Sequence, residues 1–135
     1  MLKVLDNSDL GKLILRLTVG GLILFHGIDK IFNWSGTLAW MGKLLAKHGL
    51  PEFFAYGVLV GEVIAPIMLI IGYYSRVAGL LVVGNMVVAL YLVHTSQFFT
   101  LGNGGGWALE LQGFFLLTAL AVSLLGAGKY SINRG

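Results

Sequence analysis

The chain has no cysteine. Disulfides, thiolate nucleophiles, CxxC redox motifs, cysteine-held iron–sulfur clusters and haem attachment through CxxCH are therefore excluded. Any redox role has to run without a thiol of the chain's own. Charge is also scarce. Asp, Glu, Lys and Arg make up 11% of the 135 residues, against roughly 25% in soluble domains. The net charge of +3 is scattered, with no basic run, so the clustered Lys and Arg of a nucleic-acid footprint are missing. The opening MLKVLDNSDLGK carries Asp6 and Asp9 and no small-residue cleavage site after a short apolar core. It does not read as a secretory signal, and the first apolar segment is expected to be retained.

What the chain has in abundance is apolar sequence: 57% hydrophobic residues and a mean hydropathy of +0.87. Four apolar segments stand out, at about 10–32, 53–71, 77–94 and 107–125. Each is long enough to cross a bilayer as a helix, the first if it tolerates Arg16. Backbone groups in lipid must bond internally, so spanning segments are helices or strands of a closed barrel. Barrel strands alternate polar and apolar residues, and these runs do not. The expected fold is all-α: one domain over 1–135, an integral membrane four-helix bundle. Between the first two spans, at about 36–48, Leu38, Met41, Leu44 and Leu45 share helical spacing while Lys43 and Lys47 share another face. This predicts a short amphipathic helix on the membrane surface, stopped by Gly49 and Pro51. Asp9 is expected to cap the first helix. Gly72 should end the second, and Gly126 and Gly128 the fourth. The uncharged glycine loop from Phe98 to Gly106 is expected to be flexible.

Glu62 lies in the middle of the second segment, the sole charge in nineteen residues. An ionisable group at that depth is costly and normally faces protein or a water cavity. Pro66, four residues on, cannot donate to the carbonyl of Glu62 and leaves it free. Glu62 can be read as packing glue between helices or as a functional group. Its expected partner is Arg16, the one cation well inside a span, with an estimated depth difference of about 5–6 Å at 1.5 Å per residue. Arg16, Gly20, Ile23, His26, Gly27 and Lys30 fall within about one third of the first helix's circumference, the small or polar stripe a bundle-facing surface needs. Glu110, Phe114, Leu117 and Ala121 share a face of the fourth helix. Asn85 is placed near mid-membrane as a structural residue, and Gly57, Gly61 and Ala65 form a small-residue ridge for helix contact. His26, His94 and Glu110 gather near the outer helix ends. Imidazole and carboxylate suit a metal or a proton relay, but no HxxxH, ExxH or HxH pair occurs, and interfacial hydrogen bonding is the preferred reading, with no metal assigned. Trp34, Trp40, Tyr73, Tyr74 and Trp107 at segment ends read as an aromatic belt.

Three stretches together resemble the DoxX family of small bacterial four-helix membrane proteins. They are LRLTVGGLILFHGIDKIF, GEVIAPIMLIIGYYSRVAGLLV and GGWALELQGFFLLTALAVSLLGAGKYSIN. Arg16, His26, Gly27, Lys30, Glu62, Gly72, Arg76, Glu110 and Gly128 match the family's pattern in order. The resemblance implies the fold. It also implies, more loosely, a link to membrane oxidoreductase complexes, thiol stress and quinone or catechol resistance. The lack of cysteine argues against a direct thiol relay and leaves a quinone site or a partner that carries the redox centre.

Three functions are compatible with these residues. The chain could bind a quinone or similar amphipathic molecule in the bundle, using Arg16, His26, Glu62, His94 and Glu110 as candidate groups. It could be a small proton-coupled transporter or channel built on Glu62. It could be a non-catalytic assembly subunit of a membrane oxidoreductase. The lipid bilayer, a membrane oxidoreductase and further copies of the chain are the expected partners, with no nucleic acid. The cations Lys3, Lys12, Arg76, Lys129 and Arg134 collect on the side of both termini, which predicts a bacterial cytoplasmic membrane protein with cytoplasmic N- and C-termini. Cysteines placed at Ser8 and Asn133 should resist an impermeant thiol reagent in intact cells, while one at Asn103 should react. Labelling of Ser8 from outside would reverse the orientation.

Overall fold

The computed structural model describes residues 3–93, 99–102 and 104–133, and these hold a 3₁₀ turn at Lys3–Leu5 followed by five longer helices. Helix α1 is Ser8–Phe32 and α2 is Trp34–Lys47. Helix α3 runs over Glu52–Ile71, α4 over Ser75–Val93 and α5 over Glu110–Leu125. Helices α1, α3, α4 and α5 form the bundle. One core joins them, with Val19 and Ile23 from α1, Ala65 and Leu69 from α3, Val82 and Met86 from α4, and Phe115 and Ala119 from α5. The outward faces are apolar as well: Phe25, Leu80, Phe114 and Leu124 are all exposed. Helices apolar all round belong in a membrane, and the chain is a membrane protein. Helix α2 packs separately, its Leu45 joining Ala55 and Leu92 in a satellite cluster.

Among the described residues, three helices are long and apolar enough to cross a bilayer: Ser8–Phe32, Glu52–Ile71 and Ser75–Leu92. The fourth, Glu110–Leu125, is apolar but has 16 residues, about 24 Å at 1.5 Å per residue against a hydrocarbon core of about 30 Å. It starts later than the expected 107–125 because Trp107 is used elsewhere. It bridges to Leu101 in a narrow hairpin in which Gly102 N–H donates to the Gly106 carbonyl at 2.6 Å and Ala108 N–H to that of Thr100 at 3.0 Å.

The helix ends follow their capping chemistry, with one departure. Asn7, not Asp9, caps α1, its side chain accepting from Leu10 N–H at 3.0 Å. An N-cap has non-helical backbone angles, as Asn7 does (φ −137°, ψ 83°). Asp9 already lies in the first turn, and its carboxylate accepts from the Lys129 N–H of the C-terminal tail at 3.1 Å. Helix α3 is not uniform. It opens as a 3₁₀ turn over Glu52–Tyr56 and widens to a π turn over Val60–Ile64 before Ala65–Ile71. Pro66 explains the wide turn: in a straight α-helix its ring would press on the Glu62 carbonyl. The helix ends at Gly72, whose left-handed φ of 75° favours glycine.

Arg16 does not meet Glu62. It is fully buried, and its guanidinium caps chain ends. Nη1 donates to the carbonyl of Leu69 at 2.9 Å, Nε to that of Ala127 at 3.0 Å, and Nη2 to that of Tyr130. A cation at the C-terminal end of α3 suits the helix dipole and its unpaired carbonyls. Arg76 does the same for α5, donating to the carbonyls of Ser123 and Leu124 at 2.9 Å each. The tail is thereby fastened across the ends of α1 and α3, with Ile132 N–H on the Ile71 carbonyl at 3.3 Å. Arg16→Met should strand two buried acceptors, the carbonyls of Leu69 and Ala127, each worth about 1–3 kcal/mol when left unpaired, and lower the thermal midpoint in detergent strongly. Arg76→Met, at an exposed site, should cost less. Arg16→Lys should rescue only partly, because an ammonium lacks the planar fork that reaches acceptors on two chain segments. Equal losses for Arg16→Met and Arg76→Met would contradict this capping role.

Candidate functional site

The antiparallel contact of α1 and α3 sets the site. Gly20 lies where a Cβ would come 2.8 Å from the Pro66 carbonyl, and two turns later Gly27 lies against the Glu62 carbonyl with no room for a Cβ at all. These two close approaches fix the register. One turn beyond Gly27 comes Lys30, whose Nζ makes an ion pair with Glu62 Oε1. The second carboxylate oxygen accepts from Asn85 Nδ2 at 3.4 Å. Gly61 makes space for that amide: a Cβ there would overlap the Asn85 side chain. Three helices thus each contribute one group to a polar cluster. Glu62 is buried at 5% exposure, while the Lys30 side chain keeps 29%.

The cluster borders a cavity of about 720 Å³ between α2, α3 and α4. Lys30, Glu62 and Asn85 are its charged and amide groups, and the remaining wall is apolar, including Trp40, Met41, Phe54 and Val88. Such a chamber, mostly hydrophobic with a few convergent polar groups, is the general form of a small-molecule site. Its donors are an ammonium with three hydrogens, one engaged by Glu62, and a primary amide with two.

The predicted residues divide around this centre. Glu62, Asn85 and Gly61 come together as one unit. Gly57 departs from the expected contact ridge: a Cβ there would meet nothing within 4 Å, and the residue lines the cavity instead. Pro66 sits beneath Gly20. Arg16 lies against Leu69 and Ile70, seven to eight residues and about 10–12 Å along α3 from Glu62. That separation is about twice the expected depth difference, which is why the expected pair does not form. His26 is exposed on the bundle exterior, its ring edge-on to Phe115 with centroids 6.0 Å apart. His94 lies outside the described residues. Glu110 is exposed, as are Phe114 and Leu117 on the same face of α5. That face points away from the bundle, and the buried one carries Phe115, Ala119, Val122 and Ser123. The Glu110 carboxyl instead overhangs Gly106, beside a smaller cavity of about 410 Å³ formed with the hairpin. Among the described residues, no three His, Asp or Glu side chains gather as a metal-holding group.

Lys30, the ion-pair partner of Glu62, was not among the expected site residues. Its signal was present: it sits on the Gly20–Gly27 stripe, one turn on, at the level that an antiparallel neighbour places opposite mid-α3.

A model of the DoxX family matches residues 11–95, and the chain belongs to that family. The match covers most of α1 and all of α2, α3 and α4, and with them Lys30, Glu62 and Asn85. The chain is 29% identical over 121 residues to a Bacillus subtilis (strain 168) protein named "Putative oxidoreductase CatD", spanning 90% of this chain and 83% of that one. It is 27% identical over 130 residues to "Inner membrane protein YqjF" of Escherichia coli (strain K12), spanning 94% and 92%. An uncharacterized Haemophilus influenzae protein is 27% identical over 124 residues, spanning 89% of this chain and 86% of that one. No solved structure matches.

Truncating one member of a buried charge pair leaves the other unpaired, typically at a cost of about 2–5 kcal/mol. Lys30→Met and Glu62→Met should each destabilise the detergent-solubilised protein by an amount of that order. The double substitution should cost clearly less than their sum. Arg16→Met combined with Glu62→Met should simply add. Additivity in the first cycle, or coupling in the second, would contradict the observed pairing.

Proposed function

We propose that this DoxX-family membrane protein holds a quinone, or a similar flat, lipid-soluble carbonyl compound, in the cavity beside Lys30, Glu62 and Asn85, and serves a membrane oxidoreductase system in doing so. The observation that carries this reading is a single one: an apolar chamber of about 720 Å³ with one polar cluster in its wall. A quinone asks for that combination. Its ring prefers apolar and aromatic surroundings, and its carbonyl oxygens need donors. Lys30 and Asn85 supply the donors, and Glu62 holds both of them in place from the opposite side. Having no cysteine, the chain does not relay electrons through a thiol, so the reading assigns the redox centre to a partner protein. The Bacillus subtilis relative's name, which includes "oxidoreductase", agrees with such a setting.

The same reading sets the chain in a bacterial inner membrane, as the name of the Escherichia coli relative suggests. In it α5 crosses together with α1, α3 and α4, giving four passes and both termini on the cytoplasmic side. The contact between Lys129 and Asp9 supports an arrangement with the two ends on one face. The positive charge near them supports the cytoplasmic side.

Purified protein in nanodiscs should bind an added quinone with quenching of tryptophan fluorescence, much of it lost in Trp40→Phe, since Trp40 lines the cavity. Lys30→Met should weaken binding about tenfold or more, the worth of one charge-assisted hydrogen bond. Solvent extraction of the protein as isolated should recover quinone from the membrane source. A wild-type protein that neither retains nor binds quinone would overturn the reading.

A further inference from the structure

We infer that the occupant of the cavity comes in sideways from the hydrocarbon layer, through a gap between α3 and α4 that Gly57 and Gly84 keep open, and that these glycines set the width of the ring admitted. This rests on the quinone-site reading above and adds to it the route, the gatekeeping residues and the requirement for a long-tailed, membrane-dissolved ligand.

The glycines of the bundle differ in what surrounds them. At Gly20, Gly27, Gly61 and Gly79 a Cβ would collide with a neighbouring helix, so close packing accounts for each of them. At Gly57 and Gly84 a Cβ would meet nothing within 4 Å. Neither has a positive φ, so neither is needed for the course of the backbone. Glycine within a helix is less stable than alanine, and at these two places no protein contact compensates. Gly11, Gly21 and Gly36 are also open, but none of them lines the cavity, whereas Gly57 and Gly84 both do, one on each wall.

The surroundings of the gap give its direction. Val60 on α3 and Leu80 and Val88 on α4 line the cavity and are also 38%, 56% and 53% exposed. They are therefore both inner wall and outer surface. Gly84 is the central residue of Ser75–Val93 and Gly57 the sixth of Glu52–Ile71, so the opening runs from the middle of α4 toward the α2 end of α3. Toward α2 the cavity is bordered by Leu45 and Leu92 of the buried cluster with Ala55. Along α4 the lining runs from Leu80 to Leu92, about 18 Å at 1.5 Å per residue. With the ring beside Asn85 and Lys30, the lining toward Leu92 leaves about 10 Å along the helix for the first part of a tail. A compound dissolved in lipid meets this opening directly.

The test uses the full chain in nanodiscs and two probes, a prenylated benzoquinone and the same ring without its tail. Gly57→Leu and Gly84→Leu should each weaken binding of the prenylated compound about tenfold or more, as filling a fitted space does. Wild-type protein should prefer the prenylated compound to the bare ring. Gly84→Ala guards against a folding artefact. It should raise the thermal midpoint of the ligand-free protein, through helix propensity, while still lowering affinity. Gly21→Leu, on open surface away from the cavity, should leave affinity unchanged. If wild type binds and Lys30→Met weakens binding, yet both leucine variants match wild type, the sideways route is wrong and the quinone site stands. If wild type binds neither probe, both fall.

Discussion

A carboxylate in the middle of an apolar helix needs a cation at its own depth, and much of this structure follows from how Glu62 obtains one. Lys30 reaches it only if α1 and α3 run antiparallel in one register. Gly20 and Gly27 allow that register by letting α1 come within backbone contact of α3. Pro66 contributes from the other side. By forcing a π turn over Val60–Ile64, it rotates Glu62 within the helix, and Gly61 next to it yields space for Asn85. Each element therefore has a local reason, and together they convert a costly buried charge into a three-helix polar junction.

The remaining buried charge has a different task. Arg16 spends its donors on backbone carbonyls of the α3 end and of the C-terminal tail, and Arg76 repeats the device at the end of α5. The arginines thus close one end of the bundle, through the helix termini, and the lysine–glutamate pair organises the interior. The separation suits the chemistry. A guanidinium fork serves several fixed carbonyls at once, whereas a single ammonium on a flexible stem suits one carboxylate and an exchangeable third party. It also leaves the cavity with donors that a ligand can share.

The helices were legible in the sequence because apolar length and glycine stops are local signals. Between the first two long helices, where a short one was expected over about 36–48, a helix stands at Trp34–Lys47. The pairing of charges was not legible in the same way. Arg16 looked like the partner of Glu62 from estimated depth, but depth depends on the register between two helices, and register is set by where glycines permit contact. The same limit applies to α5. Periodicity groups Glu110 with Phe114 and Leu117, but not which face turns inward, since both faces are apolar. The α1 cap went to Asn7 because Asp9 was required by a tail more than a hundred residues away. Lys30 was readable only in retrospect, as the next residue along a stripe already identified.

The central claim is that Glu62 is held by Lys30 within the membrane, beside the cavity. Solid-state NMR on protein in lipid bilayers, with ¹⁵N-labelled Lys and Arg and ¹³C-labelled Glu, observes this directly. A nitrogen–carbon dipolar cross-peak should join the Lys30 Nζ to the Glu62 side-chain carboxyl carbon and vanish in Lys30→Met, with no cross-peak from that carbon to the Arg16 guanidinium. A Glu62 cross-peak to Arg16, or none to Lys30, would contradict the account.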